Sequence, residues 1–275
     1  MLQQPQDLTG WVAFLGQTDI PVLRHTAREL ERLRADEEHL NARSIADVVT
    51  DDPLMTVKLL RHLQTHKHRS QTQELVQVEQ AIIMMGFDTF FREIPLNPIA
   101  EAMLHDHLDA LVHLLHAVRR AQRSAAYAFD WALRLHDLHA EEVRVSALLT
   151  YVAEMLMWCF NPEQMLEIRM RQDADKRLRS ADVQKQVLGF TGINLQRELT
   201  VEWRLPALLL NLMDPALART VRVQTVVLAV NLARHSARGW DDAALPDDYR
   251  AIAALLRTEP DKVMALVGAD RAANA

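Results

Sequence analysis

The chain has 275 residues, 49% of them hydrophobic, only seven glycines, and a formal net charge of -6. This is ample apolar material for a core without disulfide or metal staples, and the Gly-poor mix rich in Ala, Leu, Arg, Glu and Gln favours helix interiors, so an all-α protein is expected. A pI near 6.1 gives the whole molecule no electrostatic footprint for nucleic acid or anionic lipid, and any such contact needs a local patch.

The N-terminal stretch "MLQQPQDLTGWVAFLGQTDIPVLR" has no Lys or Arg before Arg24 and no apolar run of signal type. Nowhere do 18 residues pass without a charged or strongly polar side chain, so a cytoplasmic chain without membrane contact is expected. Val22, Leu23, Ala27, Leu30 and Leu33 follow helical spacing, with Pro21 suited to a first turn. In "SIADVVTDDPLMTVKLLRHLQTH", Ser44 is placed to cap one short helix and Asp52-Pro53 to open the next. Gly86 is placed to close the helix of "VEQAIIMM", and Pro95 and Pro98 end the short helix after it. A boundary near 95 to 98 follows, with 1–97 an N-terminal helical part and 98–275 the remainder. Residues 99–136 are helix-forming throughout, 140–160 strongly apolar, and 161–188 polar and charged up to Gly189. Further helices follow, ending in a pair around Tyr249 to Arg257 and Pro260 to Val267. With no strand-period segment and no fixed repeat, the pattern predicts a compact multi-helix bundle.

The His-Asp pair in "HDLH" sets His136, Asp137 and His139 within a single turn, and such a trio can in principle hold a divalent ion. The segment lies between two apolar helices and reads more simply as their connection, with Asp137 or His139 near the cap of the helix that opens at Ala140. His62, His66 and His68 share a polar loop, His105 and His107 fall at a helix start, and His113 and His116 lie in "VHLLHAVRR". No HExxH, CxxC, GxGxxG or GxxxxGK[ST] pattern occurs, and Cys159 reads as a small buried hydrophobe. Arg169, Arg171, Lys176, Arg177 and Arg179 form a basic run against Asp173 and Asp175, and Arg119, Arg120 and Arg123 form another. Either is a solvated face or a surface for an acidic partner or phosphate. No catalytic residue, metal or cofactor is assigned.

The blocks "IPVLRHTARELERL", "SIADVVTDDPLMTVKLLRHLQTH" and "VEQAIIMMGFDTFFREI" resemble the front half of the HDOD domain. "HAVRRAQRSAAYAF", "SALLTYVAEMLMW", "LGFTGINLQRELTVEWRLP" and "VVLAVNLAR" resemble its back half, in order over roughly residues 20 to 240. The resemblance implies an HD-like helical core behind an N-terminal helical subdomain, in a family related to HD-type metal phosphohydrolases and generally non-catalytic in bacterial signalling. His116 matches the first-helix histidine of the HD constellation. The His-Asp position falls on Thr150-Tyr151, and the later aspartate on Asn231. Other departures are Gln64-Thr65 where Asn-Ser is usual, Ala153 where Gly is usual, and Met213-Asp214 before Pro215.

Three functions follow from that resemblance, beside nucleic-acid binding through the two basic clusters, which the charge pattern alone offers. The first is a regulatory protein without catalysis, binding an unidentified signalling or regulatory protein, with Arg169, Arg171, Lys176, Arg177 and Arg179 as partner-surface candidates. Because the chain ends soon after the pattern is complete, no receiver, cyclase or phosphodiesterase domain is expected. The second is a sensor of a nucleotide or cyclic dinucleotide in a cleft lined by His116, Thr150, Tyr151, Glu154 and Asn231. The third is a surviving phosphohydrolase with metal at His116, His136, Asp137 or His139.

Overall fold

The computed structural model describes residues 5–36, 38–66, 77–175, 177–205, 207–212, 214 and 217–270. The helices of its first half are α1 (Leu8–Gln17), α2 (Arg24–Ala35), α3 (Ala42–Asp51), α4 (Pro53–Thr65), α5 (Val78–Met85), α6 (Phe87–Glu93), α7 (Ala100–Met103) and α8 (Leu108–Arg134). Then come α9 (Ala140–Leu149), α10 (Val152–Phe160), α11 (Pro162–Ala174), α12 (Ser180–Leu188), α13 (Gly192–Glu202), α14 (Ala207–Asn211), α15 (Val221–His235), α16 (Leu245–Leu256) and α17 (Pro260–Val267). Among the described residues there is no strand, only an isolated parallel bridge between Val22 and Ile99. The all-α expectation holds.

The chain divides into two compact units that interleave along it: one holds 1–118 and 151–206, the other 119–150 and 207–275. The chain therefore passes residue 97 without leaving the first unit, and α8 contributes residues to both.

In the first unit, α2, α3, α5 and α6 bury Leu30, Ile45, Val49, Ile82 and Phe90 together with Met55 and Leu59 of α4. Eight consecutive residues of α4, Pro53 to Leu60, are buried, so the helix is covered almost all round. Its start is fixed by Asp52, whose carboxylate accepts from the amides of Leu54 at 2.8 Å and Met55 at 3.1 Å. The other carboxylate oxygen accepts from the Leu23 amide at 2.9 Å, just before α2. Burial pushes the Asp52 carboxyl up from its ordinary value, and the donations from Leu23, Met55, Thr26 and Leu54 act against that rise.

Several local expectations are corrected. Pro21 lies before α2 rather than in its first turn, because Val22 is held extended, its amide donating to Pro98 at 2.9 Å and its carbonyl accepting from Ala100 at 2.9 Å. Ser44 is not the cap of α3: Asn41 is, and Ser44 sits three residues on, closing a reciprocal capping box. Leu8–Gln17 is a helix capped by Asp7, with Trp11 and Leu15 buried and the helix packed on α13. The helix-forming stretch 99–136 is broken between α7 and α8, and the charged stretch 161–188 forms α11 and α12. Gly86 does end α5, at φ 78°.

In the second unit, α9, α15, α16 and α17 bury Val143, Ala147, Val226, Leu232, Ile252 and Val263 against Trp131 of α8. The segment Ala140–Phe160 is long and apolar enough to cross a membrane by composition, yet 72% of its most apolar window is buried in the protein and it is broken at Thr150-Tyr151.

Asp52→Ala leaves three buried amides without an acceptor. It is expected to lower the unfolding free energy by about 3 kcal/mol, against about 1 kcal/mol for the exposed cap in Asn41→Ala. Chemical denaturation followed by circular dichroism measures both, and equal losses would remove the special place given to Asp52.

Candidate functional site

The five residues of the expected cleft divide between the units, His116, Tyr151 and Glu154 in the first and Thr150 and Asn231 in the second. His116, on α8, is exposed, while the other four are half-buried. The His116 ring meets His113 edge-on at 6.3 Å, and His113 stacks on Trp158 at 4.9 Å. The Trp158 indole N–H in turn donates to Glu154 Oε1 at 3.4 Å. Burial, reinforced by the charges of Arg169 and His116, holds His113 below the usual imidazole value and favours its neutral ring. The ring series links α8 to α10, and the sequence signals it only by an i, i+3 pair of histidines and one apolar-run tryptophan.

Thr150 closes α9, its hydroxyl donating to the Ser146 carbonyl at 3.0 Å, and Tyr151 stands immediately before α10. Asn231 lies within α15, with its side-chain oxygen accepting from Arg234 at 3.4 Å. A hydroxyl committed to a helix carbonyl, a phenol and an amide do not fit a site for a hard or borderline divalent ion. Among the described residues no three His, Cys, Asp or Glu side chains gather to hold a metal ion.

The visible His-Asp pair serves the backbone. His136 takes the left-handed position after α8, φ 55°, while the Asp137 amide reaches back to the Ala132 carbonyl at 2.9 Å. Asp137 then accepts from the His139 amide at 2.9 Å, immediately before α9. It also receives a two-pronged donation from Arg222 of α15, at 2.7 and 2.8 Å. Burial alone pushes the Asp137 carboxyl up, but Arg222 and the His139 amide outweigh it, so the carboxyl lies below its ordinary value. This connection lines a cavity of about 630 Å³ with Leu208, Leu217 and Val221, and Leu138 stands 94% exposed beside it.

The basic run is largely neutralised by its own acids. Arg169 binds Asp173 with two contacts of 2.8 Å, Arg171 pairs with Glu167, and Arg177 pairs with Asp175 at 3.2 Å. Donation from Arg177 holds the Asp175 carboxyl below its usual value. Arg179 precedes α12 and is exposed, with no ion pair among the described residues. Lys176 lies outside the described residues. Two apolar side chains, Met170 and Leu178, are exposed in the same segment.

Comparison with known proteins sets these features in a family. The HDOD domain model matches residues 20–216. A search of curated proteins finds no match. Among solved structures, a virulence factor from Campylobacter jejuni subsp. jejuni aligns with TM-score 0.67 and 18% identity, over 97% of this chain and 92% of that one. The MmoQ response regulator from Methylococcus capsulatus str. Bath aligns with TM-score 0.61 and 16% identity, over 88% of this chain and 99% of that one. An HDOD domain protein of unknown function from Geobacter sulfurreducens aligns with TM-score 0.50 and 16% identity, over 95% and 93%. At such identities the likeness is one of fold.

The Asp137–Arg222 pair gives a pH-dependent expectation. A carboxyl with a lowered folded-state value contributes stability that is present above its unfolded value and lost as pH falls through the folded one. Arg222→Ala is therefore expected to cost about 1 kcal/mol at neutral pH, with the gap from the parent protein closing as pH falls below the ordinary aspartate range. Urea titrations of both proteins across that range measure it, and a gap independent of pH would exclude the ion pair as its source.

Proposed function

Because the chain belongs to the HDOD domain family, we propose that it is a non-catalytic regulatory protein of the bacterial cytoplasm, acting in signalling by direct binding to another protein. The observation that carries this reading is the pair Thr150-Tyr151, which the family resemblance sets at the His-Asp position and which ends one helix and begins the next. Two neutral groups there offer neither the imidazole nor the carboxylate that a hydrolytic metal needs. Asn231, an amide where the HD pattern has an aspartate, extends the same loss.

A signalling role draws support from the structural neighbour named as a response regulator. For the partner surface we favour the α11–α12 segment, where exposed Met170 and Leu178 lie among arginines. Met and Arg are enriched at protein interfaces, and an apolar contact ringed by cations suits a partner with an acidic rim. The arginines already paired with Asp173, Glu167 and Asp175 contribute orientation more than net charge.

Two measurements test this reading. With manganese and bis-p-nitrophenyl phosphate the protein is expected to show no turnover above buffer; metal-dependent turnover that disappears in His116→Ala would overturn it. Affinity capture from native cytoplasm is expected to recover a protein that the double variant Leu178→Asp, Arg179→Glu fails to retain. Equal recovery by a folded double variant would move the partner surface elsewhere.

A further inference from the structure

A separate cavity of about 330 Å³ lies within the first unit, lined by one face of α4 and by the ends of α1, α6 and α13. Lys58 and Arg61, three residues apart on α4, both line it. Lys58 is only 4% exposed, and its ammonium donates to the carbonyls of Ile20 at 2.9 Å and Asn97 at 2.7 Å. Arg61 is half-buried and donates through Nη1 to the carbonyls of Thr18 at 2.8 Å and Leu15 at 3.4 Å. Neither cation has an ion-pair partner among the described residues.

Two like charges one helical turn apart, partly removed from water and hydrogen-bonded only to main-chain carbonyls, are an unfavourable arrangement that an anion would relieve. Burial pushes the Lys58 ammonium down to about 8, and Arg61 follows in the same direction for the same reason. Unused donors remain: the third ammonium hydrogen of Lys58 and the Nε and Nη2 groups of Arg61. Trp203 is 4% exposed, lies 5.6 Å beneath the Arg61 guanidinium, and has an indole N–H without an acceptor among the described residues.

The mouth carries the opposite charge. Asp19 and Glu202 line the same cavity, are exposed, and make no hydrogen bond among the described residues. Asp19 offsets part of the charge of Lys58 and of Arg61, and these hydrated carboxylates present acceptors to an ammonium arriving with the anion.

We propose that this cavity binds a small zwitterion, its oxyanion held by Lys58 and Arg61 at the floor and its ammonium by Asp19 and Glu202 at the mouth. The volume, near the lower end of ligand pockets, suits a molecule of amino-acid or aminoalkyl-phosphate size. This site is independent of the partner-binding reading, since none of its residues belongs to the α11–α12 segment or to the HD positions.

The test uses the full chain with L-alanine, O-phosphoethanolamine, inorganic phosphate and ethylamine, each at about 10 mM, followed by thermal shift and calorimetry. At least one zwitterion is expected to raise Tm and to shift the Trp203 indole N–H resonance, while ethylamine does neither. Binding of L-alanine alone assigns a carboxylate, and binding of O-phosphoethanolamine alone assigns a phosphate. Arg61→Met is expected to weaken binding at least about tenfold. Glu202→Gln, at the exposed mouth, is expected to fold normally and to erase the preference for the zwitterion over inorganic phosphate. The proposal is overturned if neither zwitterion binds, if inorganic phosphate binds the parent protein as tightly, or if Glu202→Gln leaves the preference unchanged.

Discussion

The frame of the first unit depends on one buried carboxylate. Asp52 has no exposure, yet it joins two helix starts that lie 29 residues apart in the chain, taking the amide of Leu23 on one oxygen and those of Leu54 and Met55 on the other. Pro53 supports this, because a first-turn proline needs no acceptor for an amide it lacks and holds φ at the helical value. Burying a carboxylate is costly, and three amide donors are what make it tolerable at this depth. The direction of α4 follows from this cap, and with it the placing of both the core residues Met55 and Leu59 and the polar face of Lys58 and Arg61.

The segment before α2 shows the same economy of backbone groups. The carbonyl of Ile20 goes to Lys58, both polar groups of Val22 go to the Pro98–Ala100 stretch, the Leu23 amide goes to Asp52, and the Arg24 amide goes to the carboxylate of Glu101 at 2.9 and 3.1 Å. An extended stretch in an all-helical unit has no ladder to pair with, so each buried polar group needs a specific partner. Side chains supply most of them here. Lys58 thus has a structural task in tying Ile20 to Asn97, and that task fixes its ammonium at the floor of the cavity.

What the sequence discloses is local, and what it conceals is long-range. Asp52-Pro53 and Gly86 are readable because their chemistry acts within four residues, as a cap and as a left-handed stop. Asn41 and Ser44 are harder to separate, since either can cap and only the geometry shows that they do so reciprocally. The break between α9 and α10 carries no Gly or Pro, so residues 140–160 read as one apolar run. The exposure of His116, the stacking of His113 on Trp158 and the pairing of Asp137 with Arg222 across 85 residues depend on which helices meet. The same holds for the burial of Lys58, whose acceptors lie 38 and 39 residues away. The family pattern was legible throughout, because it rests on blocks such as Asp-Pro and Trp203-x-x-Pro206 that are local in the same sense.

The junction at Thr150-Tyr151 has its own physical logic. Where one helix ends and the next begins with no glycine between them, side chains have to satisfy the terminal backbone groups. Thr150 does so directly: a helix that ends without glycine leaves carbonyls short of donors, and the threonine hydroxyl supplies one to Ser146. At His136-Asp137 the chain spends charge on connection as well, with Asp137 bridging the end of α8, the start of α9 and Arg222 of α15. In both places polar side chains are used in ending one helix and starting the next. Both junctions therefore hold their helix ends through side-chain hydrogen bonds, with no glycine at either.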